Sequence, residues 1–231
     1  LLEYCIRENL NKVANRVMVV LDPVKLIITN YPEDKNENVQ IVNNPENLNS
    51  GTRNVFFSRE IYIEREDFKE IANRKYFRLS IGKEVRLKSA YIIKAITCNK
   101  DNNGEVTEIL CEYDPKSKSG SGTNESERKV KGTLHWVSQH HSVNVEIREY
   151  ERLFNHASPG DYDFSEFKSI INNESVKYLN GYGEKILQES LPGEPFQFQR
   201  KGYYVSDLSS TKDKLIFNKT VGLRDNYKKK A

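Results

Sequence analysis

A chain of 231 residues with 37% hydrophobic, 10% aromatic and 30% charged residues can bury a real core without staples, which excludes a disordered tail or a fibrous protein. Its 36 Lys and Arg against 33 Asp and Glu leave a net charge of +3, too little to draw in nucleic acid through the global field, so any such partner must be held by local clusters. Three cysteines, Cys5, Cys98 and Cys111, cannot all pair, no signal-peptide pattern occurs and no apolar run reaches the roughly 18 to 20 residues of a membrane span; a reducing, cytoplasmic setting with no membrane contact is expected.

The chain begins at Leu1 rather than Met, which reads as the carboxy-terminal piece of something longer. Leu2, Cys5, Ile6, Leu10 and Val13 recur at helical spacing and predict a helix over the first fifteen residues. Arg16 to Asn30 is rich in β-branched residues and broken by Asp22-Pro23, so two strands with a bend are expected. Residues 31–53 read as a long loop with a short strand at Val39 to Val42. Phe56 to Glu64 alternates as a strand, and Arg65 to Asn73 predicts a short helix.

The chain is organised around Arg74 to Ala95, which reads as two strands joined by a turn at Ile81, Gly82 and Lys83. Leu79, Val85 and Leu87 fall on one parity, Arg78, Glu84, Arg86 and Lys88 on the other. Pleating therefore turns the aliphatics inward and the cations outward. Arg86 and Lys88, about 6.6 Å apart on one face, are spaced to meet successive groups of an extended polyanion. The same pattern also suits a solvated outer face on a half-exposed sheet.

Ser89 to Asn99 continues as strand, Lys100 to Gly104 is a turn and Val106 to Tyr113 another strand. Lys116 to Glu127 has the composition of a mobile loop. Arg128 to Val137 and Val143 to Tyr150 predict strands, Ser165 to Val176 a second helix, and 176–187, 196–205 and 214–221 further strands before a lysine-rich end. Many short strands, few helices and frequent turns give an all-β class, antiparallel barrels rather than alternating βαβ units, and the length fits two.

Chemistry is sparse. There is no Gly-rich phosphate loop, GxSxG elbow or HExxH, and Gly120-Ser121-Gly122 is followed by polar residues instead of a helix. His135, His140 and His141 with Cys98 and Cys111 match no common zinc spacing, so no metal is expected; His135 and Trp136 should pack at a strand end, with His140 and His141 in a turn. The acidic residues are scattered singly, as on a solvated surface. On residues alone this is a binding module without a catalytic site.

The stretches CIRENLN, RVMVVLDPVKLII, FFSREIYIEREDF, RLSIGKEVRLKSAYIIKA, VKGTLHWVS, VEIREYERLF, FQFQRKGYY and FNKTVGLRD run from Cys5 to Asp225. In that order they closely resemble the carboxy-terminal anticodon-binding region of bacterial glutaminyl-tRNA synthetases. The resemblance implies two tandem antiparallel β-barrels of the ribosomal protein L25 type: residues 1–14 as the end of a helical connector from a catalytic domain, 15–137 as the first barrel, 138–225 as the second and 226–231 as a basic tail. It implies a monomer that binds glutamine tRNA and its own N-terminal catalytic domain. ATP, with Mg, belongs to that domain; the family's His-x-Gly-His and KMSKS-like signatures do not occur here, so no cofactor is expected in this chain.

In the family the anticodon is unstacked and its bases enter separate pockets, where exposed Watson–Crick edges can be read by side chains. The resemblance places Arg16, Gln197 and Arg200 around the middle base, Arg86 and Lys88 at the first and Arg78 at the third, with Lys75 also in the site. Three positions depart from the family pattern: Lys88 stands where Arg is expected, Phe77 where a basic residue is common and Lys75 where Gln is common. Lysine lacks the planar fork of arginine, so Lys88 is expected to hold a phosphate or a single acceptor. Gln197 and Arg200, three apart, require a bulge or a turn at Arg200-Lys201-Gly202 to act together. The alternatives are an archaeal or eukaryotic-type glutamyl-tRNA synthetase, an L25-like ribosomal RNA-binding protein, and a protein-interaction barrel without RNA.

Overall fold

The computed structural model describes residues 1–163 and 165–224; Asp225 and the basic tail 226–231 lie outside the described residues. The first helix, α1 (Leu2–Val13), sets Ile6 and Leu10 against Ala14, Tyr203 and Val221, the apolar stripe its spacing implied. The first half of the chain then gives β1 (Asn15–Val17), β2 (Val19–Val20), β3 (Pro23–Ile28), β4 (Glu37–Val42), β5 (Thr52–Phe57), β6 (Glu60–Glu64), β7 (Phe68–Lys69), β8 (Leu79–Ser80), β9 (Glu84–Leu87), β10 (Ile92–Lys100) and β11 (Val106–Tyr113). The second half gives β12 (Thr133–Leu134), β13 (Val137–Ser138), β14 (Val143–Tyr150), β15 (Val176–Gly183), β16 (Pro195–Phe198), β17 (Gly202–Ser206) and β18 (Leu215–Val221).

Two barrel-like, seven-stranded sheets carry the fold, in the orders β12-β9-β10-β11-β3-β6-β13 and β1-β16-β17-β18-β14-β15-β2. Along either order the neighbours run parallel, antiparallel, antiparallel, parallel, antiparallel, antiparallel. The sheets therefore share one plan. In each, the two outermost strands are neighbouring pieces of one segment, 133–138 in the first sheet and 15–20 in the second, so a single segment bridges both edges and leaves little open edge. Each bridging segment comes from the other half of the chain: 15–20 leads into β3 yet closes the second sheet, and 133–138 leads into β14 yet closes the first.

The side chains of 15–20 explain how one segment serves two cores. Val17 and Val19 point into the second core with Phe196, Phe198 and Phe217, while Met18 and Val20 point into the first with Trp136, Phe57 and Tyr31. A run that is apolar on both parities is the mark of a strand buried on both faces. The first core holds Leu79, Val85 and Leu87 as the parity reading required.

Several local expectations change. Phe56 to Glu64 is two strands: β5 pairs with β4, and β6 joins the first sheet, the change falling at Ser58, whose Oγ contacts Glu60 O at 2.8 Å and Ser138 Oγ at 2.7 Å. Arg65 to Asn73 yields a 3-10 turn at Arg65–Asp67 followed by the short strand β7 in place of a helix, with the buried Asp67 carboxylate held by Arg200 and Arg78. The turn at Ile81–Lys83 forms, with Gly82 at φ 75°, but the strands on either side do not pair: β8 lies beside β7, and β9 beside β10 and β12. Ser165 to Val176 shortens to a helical turn at Phe167–Ile170. The 176–187 strand stops at Gly183, where buried Glu184 begins a 3-10 turn.

Candidate nucleic-acid interface

Two equivalent hairpins, β9–β10 and β16–β17, reach toward one place. After Leu87 the Lys88 amide donates to Leu134 O at 2.8 Å, and after Phe198 the Gln199 amide donates to Val17 O at 2.9 Å, each acceptor on a bridging segment. The next residue of either turn is left-handed, Ser89 at φ 56° and Arg200 at φ 67°. Outside glycine that conformation costs roughly 1–2 kcal/mol, so the surroundings hold both turns. Between them lies a cavity of about 280 Å³ bordered by Arg16, Lys88, Ser89, Gln197, Gln199 and Arg200, with Ile41, Val42 and Pro45 as an apolar wall.

Arg16 and Gln197 sit side by side on paired strands β1 and β16. Arg16 Nη2 donates to Asn11 Oδ1 at 3.0 Å and to Glu46 Oε1 at 3.5 Å, Gln197 Nε2 to Tyr203 OH at 2.7 Å, and Tyr203 OH to Asn11 Oδ1 at 3.3 Å. One asparagine from α1 thus holds Arg16 directly and Gln197 through Tyr203. The Arg16 Nε is buried without a partner among the described residues, an unmet donor at the cavity wall.

The anticipated turn does bring Arg200 onto the same cavity as Gln197. Its Nη1 donates to Asp67 Oδ2 at 2.5 Å and its Nη2 to Asp67 Oδ1 at 2.7 Å, while Nη1 stands 3.4 Å from His135 Nδ1. A donor on that side makes Nδ1 the acceptor and puts the imidazole proton on Nε2, toward Glu64 Oε1 at 3.5 Å. Hydrogen bonding to Asp67 raises the Arg200 pKa further above its ordinary value, so the cation is permanent.

Arg78 reaches the same carboxylate, its Nη1 lying 3.1 Å from Asp67 Oδ1 and 3.4 Å from Glu66 Oε2. Lys75 stands exposed in the preceding turn, and its backbone amide donates to Asn73 Oδ1 at 3.0 Å. Phe77 is exposed, with the Lys131 ammonium 5.2 Å from its ring centroid. Arg86 lies outside the cavity. Its Nη1 donates to Ser117 O at 3.0 Å and Ser119 Oγ at 3.1 Å, and its Nη2 to Ser126 O at 2.8 Å and Arg128 O at 3.2 Å. Arg86 thereby ties the 115–128 loop to β9; desolvation and the neighbouring Arg128 lower its pKa. Lys88 presents its ammonium with no ion pair among the described residues, while its carbonyl accepts from Trp136 Nε1 at 3.0 Å.

The cavity therefore gathers Arg16, Lys88, Gln197 and Arg200, Asp67 ties Arg78 to that group, and Arg86 and Lys75 stand apart. Sequence reasoning missed the acids. It placed them on the surface, yet Glu64, Asp67 and Glu184 are 1%, 0% and 3% exposed. Glu64 accepts from the Leu21 amide at 2.9 Å and pairs with Lys201 Nζ at 3.0 Å. Burial opposes its ionisation, but His135, Lys201 and that amide outweigh burial and bring its pKa from 4.5 down to about 2. Glu184 holds Arg53 at 2.5 and 2.7 Å and the Met18 amide at 2.7 Å. The partners in these pairs lie far apart along the chain, a signal that no one-dimensional spacing carries. Ser89 and Gln199 were missed because their place follows from turn geometry.

Two family models match the chain, both described as the anticodon-binding domain of class I tRNA synthetases (E and Q), over residues 14–114 and 133–207. Among curated relatives, the glutamine–tRNA ligase of Salmonella paratyphi B (strain ATCC BAA-1250 / SPB7) is 50% identical over 229 residues, 99% of this chain. That of Salmonella choleraesuis (strain SC-B67) is 49% identical over the same span. The chain spans about 40% of the length of these relatives.

Proposed function

The chain belongs to the anticodon-binding domains of the class I tRNA synthetases for glutamate and glutamine, and from that premise we propose that it recognises the anticodon of glutamine tRNA. The observation that carries this reading is the convergence of Arg16, Lys88, Gln197 and Arg200 on one cavity between two equivalent hairpins. A cavity of about 280 Å³ with planar donors on its polar side and aliphatic groups on the other suits a single unstacked base, whose face can rest on the wall while its edge meets the donors.

In this reading Arg16, Gln197 and Arg200 read the middle base. Lys88 meets the first base or its phosphate as a point charge, with Arg86 shaping that side, and Arg78 serves the third. Lys75 adds an exposed cation beside it. The chain supplies affinity and selection for CUG or UUG anticodons and no catalytic group; a catalytic domain N-terminal to it, using ATP with Mg, attaches glutamine. The working division is a connector at 1–14, barrels at 15–137 and 138–225 and a tail at 226–231, in a monomeric cytoplasmic protein. No helix among the described residues is long and apolar enough to cross a membrane.

The test is a titration of this chain against glutamine tRNA, glutamate tRNA and a glutamine tRNA with its middle anticodon base replaced, at two salt concentrations. Tight, salt-sensitive binding to the first alone is expected. Preference for glutamate tRNA would transfer the reading to a glutamyl enzyme, and equal affinity for all three would overturn base reading by Arg16, Gln197 and Arg200.

A further inference from the structure

The two sheets offer an internal comparison. Strand β6 ends in buried Glu64 and β15 is followed directly by buried Glu184, and each glutamate leads into a 3-10 turn, Arg65–Asp67 in one and Lys185–Glu189 in the other. Three residues beyond the glutamate stands Leu187 in the second sheet and Asp67 in the first, each 0% exposed. At the leucine position the packing is apolar, against Val145, Phe196 and Phe217. An ionised carboxylate at the matching place, removed from water, is costly unless paired. Here it is paired with Arg200, from the β16–β17 turn of the second sheet, and with Arg78, which immediately precedes β8.

We propose that Asp67 is a positioning residue that aims Arg200 and Arg78 together, coupling the reading of the middle and third bases; the proposal rests on the reading given above. Arg200 has five N–H donors. Both Nη1 hydrogens are engaged, by Asp67 Oδ2 and His135 Nδ1, and one Nη2 hydrogen by Asp67 Oδ1. What remains unengaged among the described residues is Nε–H and the outer Nη2–H, which lie parallel along one edge of the guanidinium plane. Such an edge takes two acceptors side by side. Without Asp67, a side chain leaving a left-handed turn and 32% exposed would sample many rotamers. Arg78 shares Oδ1, so the two cations cannot be repositioned independently.

Asp67→Asn, compared with native protein on cognate tRNA and on tRNAs replaced at the middle or third anticodon base, separates positioning from mere support. Expected is a loss of cognate affinity of about tenfold with the penalties for both replacements shrinking at least fivefold. The ¹⁵N spectrum should show the Arg200 Nη signals, separate in the native protein because the paired guanidinium cannot rotate, merging in the variant. A uniform loss of affinity with both penalties intact would overturn the proposal. If native protein shows no middle-base penalty, the anticodon reading itself fails, a different result. Should Asp67→Asn not fold, Arg78→Gln, at a half-exposed side chain, decides the matter: coupling requires the middle-base penalty to change at least threefold, and a smaller change overturns it.

Discussion

At the scale of single residues, the site is a set of cations distinguished by what already occupies them. Among the described residues Lys88 has no ion pair at its ammonium and Arg86 none of its terminal donors free, so their replacements should behave differently. Lys88→Ala is expected to reduce the slope of log affinity against log salt by about 1 while leaving thermal stability unchanged, as titrations at several ionic strengths would show. Arg86→Ala leaves the Ser117, Ser126 and Arg128 carbonyls without their donor; it should cost about 1–3 kcal/mol and speed amide exchange through 115–128, measurable by mass spectrometry. Glu64 gives the acid dependence its sign. Its folded pKa lies below its ordinary value of 4.5, at about 2. Its contribution to stability is therefore complete above about pH 5 and fades as pH falls through that interval. Glu64→Gln should flatten that part of the stability curve, and an unchanged acid limb in denaturation would refute the assignment. Arg78, Arg86 and Lys88 were legible as outward cations from parity alone, but their partners were not, because an ion pair joins residues as far apart as Asp67 and Arg200.

At the scale of elements, hairpins and bridging segments decide how the site is built. The pattern of Val85 and Leu87 against Arg86 and Lys88 revealed β9, yet it could not reveal that β8 turns away to β7 while β12 takes its place beside β9. Strand partners are chosen by the rest of the sheet, and local alternation only states which face is buried. The clasp between β5 and the turn after β15 is the element most exposed to test. Arg53 and Glu184 have side chains 7% and 2% exposed, so Glu184→Gln leaves a buried guanidinium uncompensated and should cost about 3–5 kcal/mol in chemical denaturation. Because Glu184 also receives the Met18 amide, the variant should loosen 15–20 first, displacing Arg16 and weakening middle-base selection along with stability.

At the scale of the whole molecule, reciprocal bridging makes the two barrels interdependent. A chain cut between Val137 and Ser138 leaves residues 15–20 on the piece that does not need them for its own sheet, and strips the second sheet of the segment paired to both β15 and β16. Residues 138–224 expressed alone are expected to lack a cooperative unfolding transition. Fusing residues 15–20 ahead of Ser138 should restore one, and calorimetry of the two forms decides. Independent cooperative folding of the bare 138–224 piece would refute the interdependence. The cavity inherits this arrangement, since Arg16 belongs to one bridging segment and Lys88 is anchored on the other.

Composition, alternation and turn chemistry by themselves determined that this chain is mainly β, that it holds two barrels' worth of strands and that a basic face follows the Arg74 to Ala95 stretch, because burial and pleating act residue by residue along the chain. Tertiary structure alone decided which strands meet, that segments 15–20 and 133–138 change places, and that acids read as surface are buried in ion pairs. Those facts depend on contacts between residues more than a hundred positions apart, such as Arg53 with Glu184 and Asp67 with Arg200, and the energy of such a contact is written in neither partner's neighbourhood.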